Sequence, residues 1–344
     1  MILRAARWAT RPLHPGSRAG DSSPIPYQMF DLERTHRELR SARKMENIYH
    51  KGQDKAWDGK KVLEELVERH GGIQLAPEKI APLRRIFAVI FWGELAAWKV
   101  SAELALELEP LEAKMAAVSQ AHDEARHFYV LHDYLELLGY TPGELPPSAN
   151  RIIANILGAN SLAKKIMGMQ LMVEPIALTL FQLVRERKLE PVLCELLGLF
   201  ERDEARHVAL GVHFLPELLR RMNPVEVADF YAWQVRMFMI QLDGVKEMEE
   251  DFRALGFTPE QAIRTGQIKQ LHAARLVMHQ LPPSIPIEEI VTRVIEFRLA
   301  LDFAPDDTGR RERWQQALRA LLLNSDRTRE IQREISNLSD EEAA

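Results

Sequence analysis

The residues Asp-Glu-Ala-Arg-His stand twice in this chain, at 123–127 and at 203–207. Each copy sets a glutamate three residues ahead of a histidine, Glu124 with His127 and Glu204 with His207. On a helix that spacing puts carboxylate and imidazole on one face. The 80-residue offset between the copies extends upstream. Glu94 lies 30 residues before Glu124, and Glu174 lies 30 before Glu204. A set of four carboxylates and two imidazoles without sulfur suits iron or manganese. The reading is a pair of metal ions, iron first, held by Glu94, Glu124, His127, Glu174, Glu204 and His207. A mixed manganese–iron pair is the alternative, and zinc is a third choice in a heterologous host.

A single Glu-x-x-His on a helix is ordinarily a solvated face. Two matched copies, each with its upstream glutamate inside an apolar stripe, read differently. The stripes are Leu83, Phe87, Ile90, Glu94, Ala97; then Ala117, Ala121, Glu124, Phe128, Leu131, Leu135; then Met167, Leu171, Glu174, Leu178, Phe181; then Leu193, Leu197, Phe200, Glu204, His207. A carboxylate on such a face stays charged only when paired or bound to metal. Four carboxylates with neutral imidazoles carry −4, which two divalent cations cancel. Metal-bound histidine usually donates its second N–H to a carboxylate, a carbonyl or water. Asp203 is expected to orient His127 and Asp123 to orient His207, with Arg126 and Arg206 holding the aspartates. His122, His132 and His213 fall off the spacing and read as ordinary histidines. The row Trp233, Met237, Phe238, Ile240 reads as core. Pro175, next to Glu174, removes a helical hydrogen bond and predicts a kink or bulge there.

The elements that must position these groups are helices, since no strand alternation stands out. Expected helices cover about 31–50, 58–70, 80–108 with Pro82 in the first turn, 111–138 ending at Gly139, 150–157, 160–187 and 190–221. Others follow at about 223–254, 259–280, 286–303 and 309–335. The fold class is therefore all-α, a four-helix core with additional N- and C-terminal helices. The divisions are a flexible tail at 1–30, N-terminal helical decoration at 31–75, the four-helix di-metal core at 76–222, a C-terminal helical extension at 223–336 and an acidic tail at 337–344.

Composition narrows the function. The chain has 344 residues, 46% of them apolar, and a net charge of −5 without a basic stripe, so nucleic acid is not an expected partner. One cysteine, Cys194, excludes internal disulfides and cysteine-held metal sites, and it reads as a buried core thiol. No run of 18 or more apolar residues marks a membrane span. Residues 1–20 hold Arg4, Arg7, Arg11 and Arg18 and no acid. They suit the floppy tail of a cytoplasmic protein, with organelle import as the minor alternative.

The paired Glu-x29-Glu-x2-His units resemble the ferritin-like superfamily of non-haem di-iron carboxylate proteins over about 80–221. Asp-Glu-x-Arg-His is similar to the motif of bacterial multicomponent monooxygenases and acyl-carrier-protein desaturases. The short gap between the halves also resembles small single-chain oxygenases such as the aldehyde-deformylating ones. Departures separate the chain from several relatives. Its lone cysteine excludes the rubredoxin-like site of rubrerythrins. Ferritin proper is far shorter and lacks the two symmetric units. Leu131 stands where ribonucleotide reductase small subunits place a radical tyrosine. Phe200 stands where arylamine N-oxygenases add a histidine. Ala177 and Leu178 stand where the monooxygenases and desaturases place a threonine, with Thr179 one step later.

The resemblance implies a ferritin-like bundle and an O2-dependent di-iron oxidoreductase. Its substrate would be a hydrophobic small molecule, hydroxylated, desaturated or otherwise oxidised, with Phe91, Trp98, Phe128, Met172 and Phe200 as expected lining. Electrons must come from an external reductase or ferredoxin, since no flavin or nicotinamide fingerprint is present. A homodimer is compatible with all of this. The rival reading is a non-catalytic iron-binding or ferroxidase protein, which the long segment 223–335 disfavours.

Overall fold

The computed structural model describes residues 32–41, 43–280, 287–305 and 307–322. The Arg-rich segment, the acidic tail and the end of the last expected helix lie outside them. Among the described residues every regular element is a helix. The chain forms two units, Met1–Ser41 and Ala42–Ala344. The first contains α1 (Leu32–Ser41). The second opens with α2 (Arg43–Asp54) and α3 (Gly59–His70), so the helix expected over 31–50 is two helices.

Four long helices follow as two hairpins: α4 (Pro77–Glu107) with α5 (Leu111–Leu137), and α7 (Leu162–Glu186) with α8 (Pro191–Leu219). Between the hairpins lies α6 (Pro147–Leu157). Pro77, not Pro82, takes the first turn of α4, where a missing N–H costs little. Pro82 sits inside the helix. After α5 the chain turns at Gly139, whose φ of 66° suits a residue without a side chain.

The order of side chains along each helix gives its direction. Phe87 and Ile90 of α4 cluster with Leu131 and Tyr134 of α5, Phe181 of α7 and Leu193 and Leu197 of α8. Beyond the glutamates lies a second cluster: Ala97 and Val100 of α4, Ala113 and Ala117 of α5, Ile166 and Met167 of α7, and Leu210 and Leu215 of α8. Thus α4 and α8 run one way, and α5 and α7 run the other. Segment 138–161, with α6, must carry the chain from one end of the bundle back to the other. Four helices with one long crossover make the ferritin-like topology.

The remaining described helices are α9 (Pro224–Glu247), α10 (Glu249–Ala254), α11 (Pro259–Met278), α12 (Ile287–Asp302) and α13 (Arg310–Leu322). Asn223 and Thr258 open α9 and α11 with reciprocal capping boxes, satisfying N–H groups that the first turn leaves free. The single helix expected over 223–254 breaks at Met248. By length and composition α7 could cross a membrane, yet 78% of its most apolar window is buried inside the protein, as befits a core helix. Cys194 is only partly buried, against the expectation of a core thiol, and burial still pushes its thiol pKa up.

Candidate metal centre

The six expected ligands meet in one layer between the two apolar clusters. All are buried, with Glu124, His127 and Glu204 at 0% exposure. They form two overlapping groups whose ligand atoms lie within 4.8 Å of one another. One group is Glu94, Glu124, His127 and Glu204; the other is Glu124, Glu174, Glu204 and His207. Glu124 and Glu204 belong to both, so the centre has two positions that share two carboxylates.

The first position is built around His127. Its Nδ1 lies 3.1 Å from Glu204 Oε1 and 3.5 Å from both Glu94 Oε2 and Glu124 Oε2. In the second, His207 Nδ1 lies 2.6 Å from Glu204 Oε2, 3.0 Å from Glu124 Oε1 and 3.9 Å from Glu174 Oε1. Both rings turn Nδ1 toward the carboxylates and Nε2 away from them. His127 Nε2 lies 3.3 Å from Asp203 Oδ2, and His207 Nε2 lies 3.4 Å from Asp123 Oδ2. An Nε2–H donated to aspartate leaves the Nδ1 lone pair for a metal.

Each aspartate is held twice. Arg206 Nη2 reaches Asp123 Oδ2 at 2.7 Å and Asp203 Oδ1 at 2.9 Å. Arg126 Nη2 pairs with Asp123 and reaches Asp203 Oδ2 at 3.0 Å. The two pentapeptides thus interlock about a local twofold, as their repetition predicts. Burial works against ionisation of Asp203, but the His127 hydrogen bond, Trp57 and Arg206 hold its pKa well below the usual carboxylate range.

Within the layer, burial pushes the Glu94 and Glu174 carboxyls well above their usual range, and Glu204 adds to the push. Burial acts on Glu124 in the same direction, but His207 and His127 outweigh it and keep this group well below. Burial disfavours charge on His127 and His207, and the surrounding carboxylates reverse this, raising both imidazoles well above their usual value. Protons therefore crowd the layer when no cation shares the charge.

The donor set fits a pair of first-row metal ions. Glu124 Oε2, His127 Nδ1 and Glu204 Oε1 are buried and have no hydrogen-bond partner among the described residues. Such orphaned atoms are rare in native interiors. They converge, and oxygen with imidazole nitrogen is the donor chemistry of iron and manganese.

The π turn Met169–Val173 lies immediately before Glu174. Glu174 N–H donates to Met169 O, five residues back. One extra residue in the turn rotates the rest of α7. After it Glu174, Ala177 and Phe181 are buried, and Leu178, expected on the ligand stripe, is partly exposed. The Met172 carbonyl accepts from Gln270 Nε2 at 3.0 Å, and Gly211 of α8 lets the turn approach: a Cβ there would lie 2.8 Å from Gln170 Cβ.

Three contributors escape sequence reasoning. Gln120 Nε2 donates to Glu124 Oε1 at 2.9 Å and to Glu174 Oε1 at 3.1 Å, and Gln170 Nε2 supports Gln120 Oε1 at 3.2 Å. Gln120 lies one turn before Glu124, a signal the sequence does contain. Its counterpart in the repeat is Phe200, which stacks on the His127 ring at 4.0 Å. The two positions are therefore unlike. The third is Trp57, in the turn between α2 and α3, whose Nε1 donates to Asp203 Oδ2 at 2.7 Å. Its ring lies 4.9 Å from the Arg126 guanidinium carbon. Gly52 and Gly59 let α2 and α3 come close on either side. A Cβ would fall 2.0 Å from Ser119 Oγ at the first and 2.3 Å from Val130 Cγ2 at the second.

On the opposite side, a cavity of about 180 Å³ reaches Glu94 and Glu174. Its walls come from α4, α6 and α7 and from α9 and α11 of the C-terminal extension. Aliphatic side chains such as Ile90, Ile153, Ile176, Leu180 and Ile263 dominate them. The lining expected from sequence is wrong. Phe91, Trp98, Phe128, Met172 and Phe200 all lie elsewhere; Phe91 stacks on Phe128 at 4.4 Å. Of the α9 row read as core, Met237 and Ile240 are core and Phe238 also lines the cavity. His122 is exposed, with its Nδ1 3.4 Å from Arg126 Nη1, and His132 and His213 are partly exposed.

No family model matches the chain, and no curated protein matches it. Among solved structures it is similar to "Protein 19 with aldehyde deformylating oxidase activity from Synechococcus". The TM-score is 0.49 at 17% identity, covering 59% of this chain and 92% of that one. The fold assignment itself rests on the helix directions and the crossover.

Proposed function

We propose that the chain is a di-iron, O2-dependent oxidoreductase that oxidises a hydrophobic organic substrate held in the cavity. The observation that carries this reading is the meeting of an apolar cavity with Glu94 and Glu174. These are the two glutamates that belong to one metal position each. An iron-storage bundle has no use for an apolar chamber walled by helices outside the bundle. Iron, when bound, supplies the O2-dependent redox chemistry, and a separate reductase or ferredoxin supplies electrons.

The chain's own residues do the rest. Asp123 and Asp203 hold the Nε2 protons, so both imidazoles present Nδ1. Gln120 steadies Glu124 and Glu174 at the second position. The aliphatic walls exclude water and leave room for an apolar body beside the glutamates. Arg126 and Arg206 close the far side.

Anaerobic reconstitution with ferrous iron, metal counting and optical spectra on adding O2 test the reading. About two irons per chain, with a transient optical band and O2 uptake coupled to oxidation of an apolar compound, are expected. Two irons and O2 uptake with no organic product under any donor would move the chain to the ferroxidase class. Fewer than one metal per chain under every loading condition would end the proposal.

A further inference from the structure

The wall that α9 and α11 give the cavity holds polar groups with nothing to bind. Gln267 is 2% exposed, and neither its Oε1 nor its Nε2 has a hydrogen-bond partner among the described residues. Gln241 has an unpartnered Nε2, while its Oε1 lies 3.4 Å from Gln270 Nε2. Gln270 also donates to Met172 O, which ties this cluster to the turn that carries Glu174. All three glutamines line the cavity. Interiors pair roughly nine in ten or more of their buried polar groups, so a free amide in an aliphatic wall marks a place for a ligand atom.

The charges narrow the ligand. Among the described residues no lysine, arginine or histidine lines the cavity, and its only ionisable groups there are Glu94 and Glu174. Away from the metals, a carboxylate ligand would find no cationic side chain in the cavity wall among the described residues. A plain alkane would leave Gln267 unpaired. An aliphatic body with one neutral polar group satisfies both conditions. Gln267 offers a donor and an acceptor, and Gln241 offers a further donor.

We propose that the cavity takes an uncharged aliphatic molecule carrying a hydroxyl or carbonyl group, and that Gln267, with Gln241 beside it, binds that group and sets the substrate class. The inference rests on the cavity being the substrate site of the proposed oxidoreductase.

Binding to the full chain loaded with redox-silent zinc separates the two. Equilibrium dialysis with hexane, 1-hexanol, hexanal and hexanoate gives the affinities, and metal counting on the same samples gives the occupancy. In a metal-free control, where no zinc can take the carboxylate, the alcohol and the aldehyde should bind about tenfold or more tighter than hexanoate. Gln267→Leu should weaken both about three- to tenfold, the size of one net hydrogen bond, and leave hexane binding unchanged or tighter. Gln267→Met, closer in shape, should behave alike if the leucine variant folds poorly. The proposal is overturned if hexanoate binds the metal-free chain as tightly as the alcohol does, or if none of the four binds the loaded chain. It is equally overturned if both variants leave alcohol and aldehyde affinity untouched, or lose hexane by the same factor. Two zinc ions per chain alongside any of these results keeps the metal centre and removes only this inference. Alcohol binding of the expected pattern in a chain that holds no metal after loading keeps the binding site at Gln267 and removes the centre, and with it the role of that site in setting a substrate.

Discussion

The ligand layer has two unlike faces. On the α5 and α8 side lie two aspartates, two arginines and Trp57, closely packed under α2 and α3. On the α4 and α7 side lies an aliphatic cavity with a few glutamines. The first face largely follows the repeat, since Asp123 and Asp203, and Arg126 and Arg206, exchange partners about a twofold. The second does not, because its far wall comes from α9 and α11, which lie outside the repeat. The difference separates two tasks. Holding a metal pair calls for fixed, fully paired charges on one side. Admitting an apolar molecule calls for open volume on the other.

Substitutions can test that division, beginning at its centre. Glu204→Ala removes a carboxylate common to both positions, so metal content should fall from about two per chain to below one. Retention of both metals would break the comparison at its root. On the polar face, Asp203→Ala should weaken metal binding roughly 10- to 100-fold, read by competition with a chelator. Ala177→Leu, on the cavity face, should leave metal content near two while substrate oxidation or probe binding falls about tenfold or more; equal loss of metal would show that the faces are not separable. The smallest effect is expected from Trp57→Phe, which leaves Asp203 its arginine partners. It should cost about two- to tenfold in metal affinity, with no effect on probe binding.

Protons sharpen the same contrast. The metal-free layer holds protons on Glu94, Glu174, His127 and His207 above their ordinary pKa values. The folded chain then binds more protons than the unfolded chain, and the stability these groups contribute is lost as pH rises. Glu124 and Asp203 act the opposite way, but their contribution disappears only in acid, below their ordinary range. Metal-free protein should therefore lose melting temperature between about pH 6 and pH 8. Metal binding should release protons and strengthen over the same interval, because the cations replace those protons. Melting curves with and without ferrous iron check both signs. A metal-free protein that gains stability toward pH 8 would contradict the assignment.

Much of the centre is legible in the sequence because it is local and repeated. Glu-x-x-His needs one helical turn to bring its two side chains together. An identical copy 80 residues on leaves little choice about which residues match. The proline beside Glu174 even marks where α7 departs from regular geometry, although the π turn falls just before it, at Met169–Val173. A stripe counted at 3.6 residues per turn cannot foresee the residue inserted between Met167 and Glu174, and Leu178, one regular turn past Glu174, falls at the edge of the buried face. Trp57 is invisible because its partner Asp203 is 146 residues away and no period links them. The cavity is misread because periodicity shows that a face is buried without showing whether it meets a neighbour or a void. Phe91 and Phe200 are buried against other rings instead.

The amino-acid sequence alone determined most of the helices, the candidate ligand set and the twofold relation of its halves, since all three follow from short-range spacing and exact repetition. Tertiary structure decided that Trp57 reaches Asp203, which amide distinguishes the two candidate metal positions and where the open volume lies. Those outcomes depend on how whole helices pack, and packing joins residues whose separation along the chain obeys no rule that a linear reading can apply.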